Sequence, residues 1–420
     1  MPIYYWNMSA FLRPFQHYST NELLNLLMVS KMCSYPNLME NADSMISLSS
    51  KIIGLDPTSY YVGKLVGQNF SAGETLNELK STLTRLSSIN QGILIGYCAE
   101  GVSTEAGMDE ITKEIESTIH LCSNYNNSDI AIKLTSLIPY GTLRKLSDLQ
   151  KKVSSNVEYV WEESIFHSLS EGMLKNEGFS EEEIREIYNG LERIRKICKE
   201  CEIAGIRVLF DAEQSYFQRA IDGITALFQK EFNLERGIVL NTTQSYLTES
   251  FDKLKGNLQW TIKNKLKVGV KIVRGAYIKE ENHLAKVYGY ETPIHRCKVD
   301  TDASYDTNVK LAISYLNENS SLYIASHNID SIENAKELMQ EYRIHRQKGG
   351  VNFGQLLGMK AVISTLLSQQ NYLVKKYCPF GPFNKLMPYM GRRAYEMLDM
   401  LKDLESQTQL ILQELKLRPN

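Results

Sequence analysis

The sequence lacks most of the features that classify a chain at a glance. No uninterrupted apolar run approaches the ~20 residues of a membrane span, so a spanning helix is excluded while peripheral contact with a membrane stays open. Basic and acidic residues nearly balance, 47 against 49 for a net charge of −2, and no stretch concentrates Lys and Arg. That excludes the electrostatic footprint of a nucleic-acid binder. No two glycines are spaced as G-x-G, so the fingerprint that cradles a dinucleotide pyrophosphate at a first βα turn is missing. Seven histidines fall at no metal-ligand spacing with carboxylates. Seven cysteines, an odd number without framework spacing, suit a reducing compartment. The single C-x-x-C, Cys198 and Cys201 in "CKEC", has no second pair or neighbouring histidine and reads as two thiols one turn apart on a helix.

What is present is a large apolar content, 43% of 420 residues, enough for one large α/β domain or two smaller ones. The first residues, up to Glu22, carry no acid and spread Ser, Thr and Arg13 among aromatics, a pattern compatible with a fading mitochondrial presequence. Residues 1–88 read as helical: "STNELLNLLMVSKM" and "SAGETLNELKSTLTRL" each place a capping residue before apolar positions at helical spacing. Eight short apolar, β-branched runs follow: "GILIGY" (92–97), "IAIKL" (130–134), "IRVLF" (206–210), "GIVLN" (237–241), "VGVKIV" (268–273), "SLYIAS" (321–326), "GVNFG" (350–354) and "YLVKKYC" (372–378). Amphipathic segments separate them. Eight strand–helix repeats predict a (β/α)8 barrel of the TIM type over residues 89–405, with a helical tail at 406–420. A doubly wound open sheet is the alternative, weakened by the absent glycine fingerprint.

In such a barrel the residues that end the strands face one cavity. Here those residues are polar: Lys133, Asp211 and Glu213, Gln244, Lys271 and Arg274, His327 and Asn328, Gln355 and Tyr377. Singly, each is better explained by a loop salt bridge. Together they form a ring of donors with few carboxylates, suited to a large flat ligand rich in acceptors, and the small residues of "RGAY" let a ring approach the backbone. Near the end, "YCPFGPF" precedes a helix carrying Arg392 and Arg393, with Glu396 at pairing distance. Two forked guanidinium groups can clamp a small carboxylate, although a surface salt bridge explains them equally. Lys133 or Lys271 on a barrel strand would also permit Schiff-base chemistry. A non-catalytic binding protein is a third reading, with the helical N-terminal region as its surface.

The motifs "DAE", "NTTQSYL", "GVKIVRGAY", "DTDASY", "ASHN", "GQLLGM", "YCPFGP" and "RRAYE", in this order, resemble proline dehydrogenase of the mitochondrial, eukaryotic type over roughly residues 70–400. The resemblance implies a distorted (β/α)8 barrel with non-covalent FAD. It also implies oxidation of L-proline to Δ1-pyrroline-5-carboxylate by hydride transfer, electrons passing to a membrane quinone, and a mitochondrial location on the matrix side of the inner membrane. Carried over, Arg392 and Arg393 bind the proline carboxylate and Glu396 holds them. Tyr277, Leu357 and Tyr377 pack around the pyrrolidine ring, while Lys133 and Asp211 lie beside the substrate. Gln244, Lys271, Val273, Gly275, Ala276, Ser326, His327, Asn328 and Gln355 attend FAD, with Lys271 also serving catalysis. Two positions depart from the pattern. Bacterial relatives carry Arg at the position of Lys271, and Met397 stands where family members often have Asn. In hydroxyproline-oxidising relatives the position of Tyr377 is smaller, so Tyr377 favours proline.

Overall fold

A computed structural model describes residues 13–33, 41–54, 67–98, 104–154, 168–386 and 401–418, together with 35, 57, 58, 61, 64, 102 and 389. Every apolar run holds one strand: β1 (Gly92–Tyr97), β2 (Ser128–Ile132), β3 (Val208–Phe210), β4 (Val239–Gln244), β5 (Gly269–Val273), β6 (Ser321–Ala325), β7 (Val351–Leu356) and β8 (Leu373–Phe380). They form a closed parallel barrel in sequence order, as the alternation of strand and helix predicts.

The strand limits differ from the apolar runs where side chains compete for the backbone. β2 stops before Lys133, whose carbonyl accepts the Ser136 hydroxyl at 2.7 Å and opens a 3-10 turn over Leu134–Ser136. β4 runs on through the polar "TTQ" to Gln244, because its ladder to β5 continues to the pair Gln244 and Val273.

The helices that matter below are α1 (Thr20–Cys33), α2 (Ala42–Ile53), α3 (Leu76–Ser88), α4 (Glu105–Cys122), α5 (Tyr140–Ser154), α6 (Glu181–Ala204), α7 (Ser215–Phe232), α8 (Ser250–Lys263), α9 (Ile278–Tyr288), α10 (Lys298–Ser314), α11 (Ile329–Glu341), α12 (Ala361–Gln369) and α13 (Leu401–Lys416). Their ends follow local chemistry. α3 starts on a capping box between Thr75 and Glu78, and α6 on one between Ser180 and Glu183, each satisfying two N–H groups the helix leaves open. α6 ends at Gly205 in the left-handed region, where glycine has no side chain to clash.

The chain divides into two compact units, residues 1–98 with 355–420 and residues 99–354. In the first, Phe15, Leu23, Leu26 and Ile411 form a buried cluster. Beside it Arg13 donates to Glu414 at 2.7 and 3.0 Å, and this hydrogen bond holds the Glu414 carboxyl below its ordinary range.

In the second unit, the floor of the strands β2, β3 and β6 is a buried polar knot. Asp129 accepts from the Arg207 backbone at 2.8 Å and from the Tyr323 hydroxyl, and Arg207 also donates to Ser321 at 2.8 Å. Cys198 and Cys201 sit on α6, both fully buried, and burial pushes both thiols well above the ordinary range. They behave as small core residues, as the isolated C-x-x-C implied.

Candidate active site

The strand ends of the second unit gather the polar residues singled out from sequence. Asp211 follows β3 directly, its N–H bonded to Ile132 O at 2.9 Å. Lys271 lies mid-β5, level with Thr242 of β4 and Tyr323 of β6. The Lys271 ammonium reaches past β4 to the Asp211 carboxylate at 2.5 Å, and both residues are at least nine-tenths buried. Such a pair is held only when geometry repays desolvation, and removing either partner leaves a buried charge uncompensated.

Glu213, two residues on, ties the loop down. Its carboxylate accepts from the Thr135 hydroxyl at 2.5 Å and backbone at 3.2 Å, and its carbonyl accepts Gln244 at 2.8 Å. Its N–H donates to Gln218 of α7, which bonds Asp222 at 2.8 Å. Burial raises the Asp222 carboxyl, despite Lys253, Gln218 and Asn241 acting the other way. A second set of bonds spans the same strand ends. Glu281 of α9, fully buried, accepts Ser215 N and Oγ at the start of α7, both at 2.7 Å. Glu280 accepts Gln214 and Tyr216, each at 3.0 Å.

The loop after β5 is shaped by two features. Gly275 has φ +135°, and a Cβ there would lie 2.2 Å from the Tyr246 ring. The ring that presses on the glycine is therefore the protein's own. Ala276 is exposed, while Val273 and Tyr277 are half-buried, Tyr277 standing at the start of α9. Arg274 fans out to Asp302 at 2.6 Å, Ser326 at 2.8 Å and Ser331 at 2.9 Å, and lies 4.2 Å from the Tyr305 ring centre. Burial opposes charge on Asp302, yet hydrogen bonds from Lys298 and Arg274 hold its carboxyl below the ordinary range. Ser326 also accepts Asn328 N at 3.0 Å, and Asn328 caps α11 through Asp330 N at 2.9 Å. His327 between them is half-buried.

In the first unit, Leu357 follows β7 and is buried, its N–H on Tyr377 O at 3.0 Å. Gln355 of β7 accepts the Ser364 hydroxyl of α12. Tyr377 of β8 stacks on Tyr389, with ring centres 6.4 Å apart and planes 28° apart. Arg392, Arg393, Glu396 and Met397 lie outside the described residues.

The structure thus brings Lys133, Asp211, Gln244, Ser326 and Asn328 to strand ends, half-buried or buried, whereas Lys271, expected at a strand end, sits in the middle of β5 and reaches Asp211 through its long side chain. Neither Glu281 nor Thr135 stands out in the sequence: the role of Glu281 comes from its reach to Ser215, and that of Thr135 from its bonds to Glu213. Arg274 was visible as a polar strand end, but nothing in its spacing pointed to Asp302, Ser326 and Ser331.

Residues 79–404 match the family model for proline dehydrogenase. The chain is 31% identical to proline dehydrogenase 1, mitochondrial, of Dictyostelium discoideum, an alignment covering 90% of this chain and 69% of that protein. It is 32% identical to hydroxyproline dehydrogenase of Xenopus laevis, over 95% of this chain and 88% of that protein. Among solved structures it resembles proline utilization A from Bdellovibrio bacteriovorus, with TM-score 0.64 and 18% identity over 81% of this chain. The chain spans about a third, 34%, of that much longer protein, and the likeness is one of fold. A closed eight-stranded barrel and a family match across most of its length give one conclusion: the chain belongs to the proline dehydrogenase family.

Proposed function

We propose that this protein oxidises L-proline to Δ1-pyrroline-5-carboxylate with non-covalently bound FAD, and that a membrane quinone takes the electrons. The observation that carries the reading is the buried pair of Lys271, in β5, with Asp211, just after β3, in a chain of this family. The donor set fits a flavin: Gln244, Ser326 and Asn328 are polar and gathered at strand ends, Lys271 stands in mid-β5, and Thr242 Oγ1, level with Lys271, is buried without a hydrogen-bond partner among the described residues. Gln244, Lys271, Val273, Gly275, Ala276, Ser326, His327, Asn328 and Gln355 would hold the cofactor. When bound, FAD supplies the two-electron sink.

The chain's own groups do the rest. Lys271 is a fixed cation beside which negative charge can develop without solvent reorganisation, and Asp211 keeps its ammonium oriented. Glu213 and Glu281 hold the Asp211 loop through Thr135 and Ser215. Lys133 and Asp211 would lie beside the substrate amine, which must be neutral for its lone pair to assist loss of hydride. Arg392 and Arg393, oriented by Glu396, would clamp the carboxylate. Tyr277, Leu357 and Tyr377 would exclude water from the pyrrolidine ring.

Oxidation of 4-hydroxyproline is a second reading, supported by the similarity to the Xenopus protein. The bulk of Tyr377 favours proline. The Schiff-base alternative is weakened by the engagement of Lys271 with Asp211. Among the described residues no helix is long and apolar enough to cross a membrane. We place the enzyme in mitochondria, at the matrix face of the inner membrane, in line with relatives named mitochondrial.

The purified protein is expected to carry flavin absorption that bleaches with L-proline and returns with a quinone analogue. A preparation that takes up no FAD would refute the reading. Bleaching by trans-4-hydroxy-L-proline in preference to L-proline would shift it to the second. Arg392→Met is expected to raise KM for proline strongly with FAD retained, and an unchanged KM would remove the clamp.

A further inference from the structure

Gly96 of β1 has no conformational reason to be glycine, since it is absent from the positive-φ positions of the chain. Its reason is steric. A Cβ at this position would lie 2.3 Å from the Tyr377 hydroxyl oxygen, 2.7 Å from Cζ and 3.3 Å from Cε2. The Cα of Tyr377 is level with Leu94, so its ring rises along β1 by two residues and ends over the bare backbone of Gly96. Tyr389, itself buried, stacks against the same ring with centres 6.4 Å apart. The ring thus meets both a strand backbone and a second ring, and the first two of these distances are ones that real Cβ atoms essentially never show.

The backbone places Tyr377 where it does partly through its neighbours. Its carbonyl accepts Leu357 N at 3.0 Å, which fixes the main chain from the β7 side. The side-chain orientation is a separate matter, and the bare backbone of Gly96 leaves the space that the hydroxyl end of the ring occupies. Any L side chain at 96 would force the hydroxyl end away by about 1 Å to reach ordinary van der Waals contact.

We propose that Gly96 is a specificity-determining residue: its missing side chain seats the Tyr377 hydroxyl and so fixes the wall that selects proline over its ring-hydroxylated analogue. The inference rests on the functional reading above, in which Tyr377 closes over the imino-acid ring. Gly96 acts through Tyr377 and touches no substrate itself. A wall held in one place can exclude an added hydroxyl, whereas a displaced wall loses contact with proline and admits more room, and a discrimination built on apolar contact is of the order of 10–200-fold.

The test compares Gly96→Ala in two backgrounds, using kcat/KM for L-proline and for trans-4-hydroxy-L-proline. In the otherwise native enzyme the alanine is expected to lower the proline-to-hydroxyproline ratio about tenfold or more, mainly through KM for proline. In the Tyr377→Ser background, which lacks the three clashing atoms, it is expected to leave the ratio unchanged. An unchanged ratio in the native background, or an equal drop in both backgrounds, would overturn the proposal. Thermal unfolding of the same four proteins gives a readout independent of turnover. The alanine is expected to lower Tm when Tyr377 is present and to leave it unchanged in the Tyr377→Ser background, and equal destabilisation in both would also overturn the seat. If the native enzyme oxidises neither imino acid, the functional reading fails, while the unfolding data still decide whether Gly96 seats Tyr377.

Discussion

Lys376 of β8 is 4% exposed, and its ammonium donates to Met359 O at 2.9 Å. Among the described residues, the cleft it lines brings Arg85 and His17 but no carboxylate, alongside Phe15, Leu357 and Met359. Burial drives its pKa down from 10.5 to about 7. In the unfolded chain the same group keeps its ordinary value, so between about pH 7 and 10.5 the unfolded state binds more protons. Stability therefore rises with pH across that window. At 1.4 kcal/mol per pH unit the penalty is about 4 kcal/mol at pH 7, where the folded amine is half neutral, and about 2 kcal/mol at pH 9. Lys376→Met keeps the length of the stem and removes the charge, losing one hydrogen bond of about 1 kcal/mol. The variant is expected to be more stable than the native protein by about 2–3 kcal/mol at pH 7, with the gap shrinking by about 2 kcal/mol by pH 9. Paired urea unfolding at pH 7, 8 and 9 measures it, since groups common to both proteins cancel in the difference. A gap that does not change with pH, or a methionine variant less stable at pH 7, would refute the reasoning.

Asp211→Asn is expected to destabilise the fold by about 3–5 kcal/mol in urea unfolding, because the buried Lys271 ammonium loses the carboxylate it holds at 2.5 Å. Adding Lys271→Met should recover most of that loss while activity stays low, and a double variant no more stable than the single would argue against the pair as the cause. Gly275→Ala is expected to lower Tm by more than an exposed-loop substitution does, since φ +135° and the Tyr246 ring both oppose a side chain. A Tm within error of the native protein would show that the loop relaxes freely. Native protein is expected to leave Cys198 and Cys201 unmodified by a thiol reagent at pH 8 and to expose them on unfolding, as peptide mapping by mass spectrometry will read.

The barrel was legible because each strand of a parallel sheet covered on both faces needs a continuous apolar run, and all eight runs stand in the sequence between amphipathic segments. Their limits were not. Lys133 closes its strand through the Ser136 hydroxyl, and "TTQ" continues β4 because β5 lies beside it. The small residues of "RGAY" announced a close approach at Gly275, but which ring approaches depended on Tyr246, 29 positions earlier in the chain by the difference of the two numbers.

Local pattern alone carries the strand–helix order, the family motifs and the polar character of the strand ends. The tertiary structure decided which of those polar groups meet. Lys271 finds Asp211 over a separation of 60 residues, Ser215 finds Glu281 over 66, and Tyr377 finds its seat at Gly96 on the strand that closes the barrel. Pairing at such distances is fixed by strand register and by burial, since a charged or hydroxyl group removed from water takes the partner that the closed barrel brings within reach.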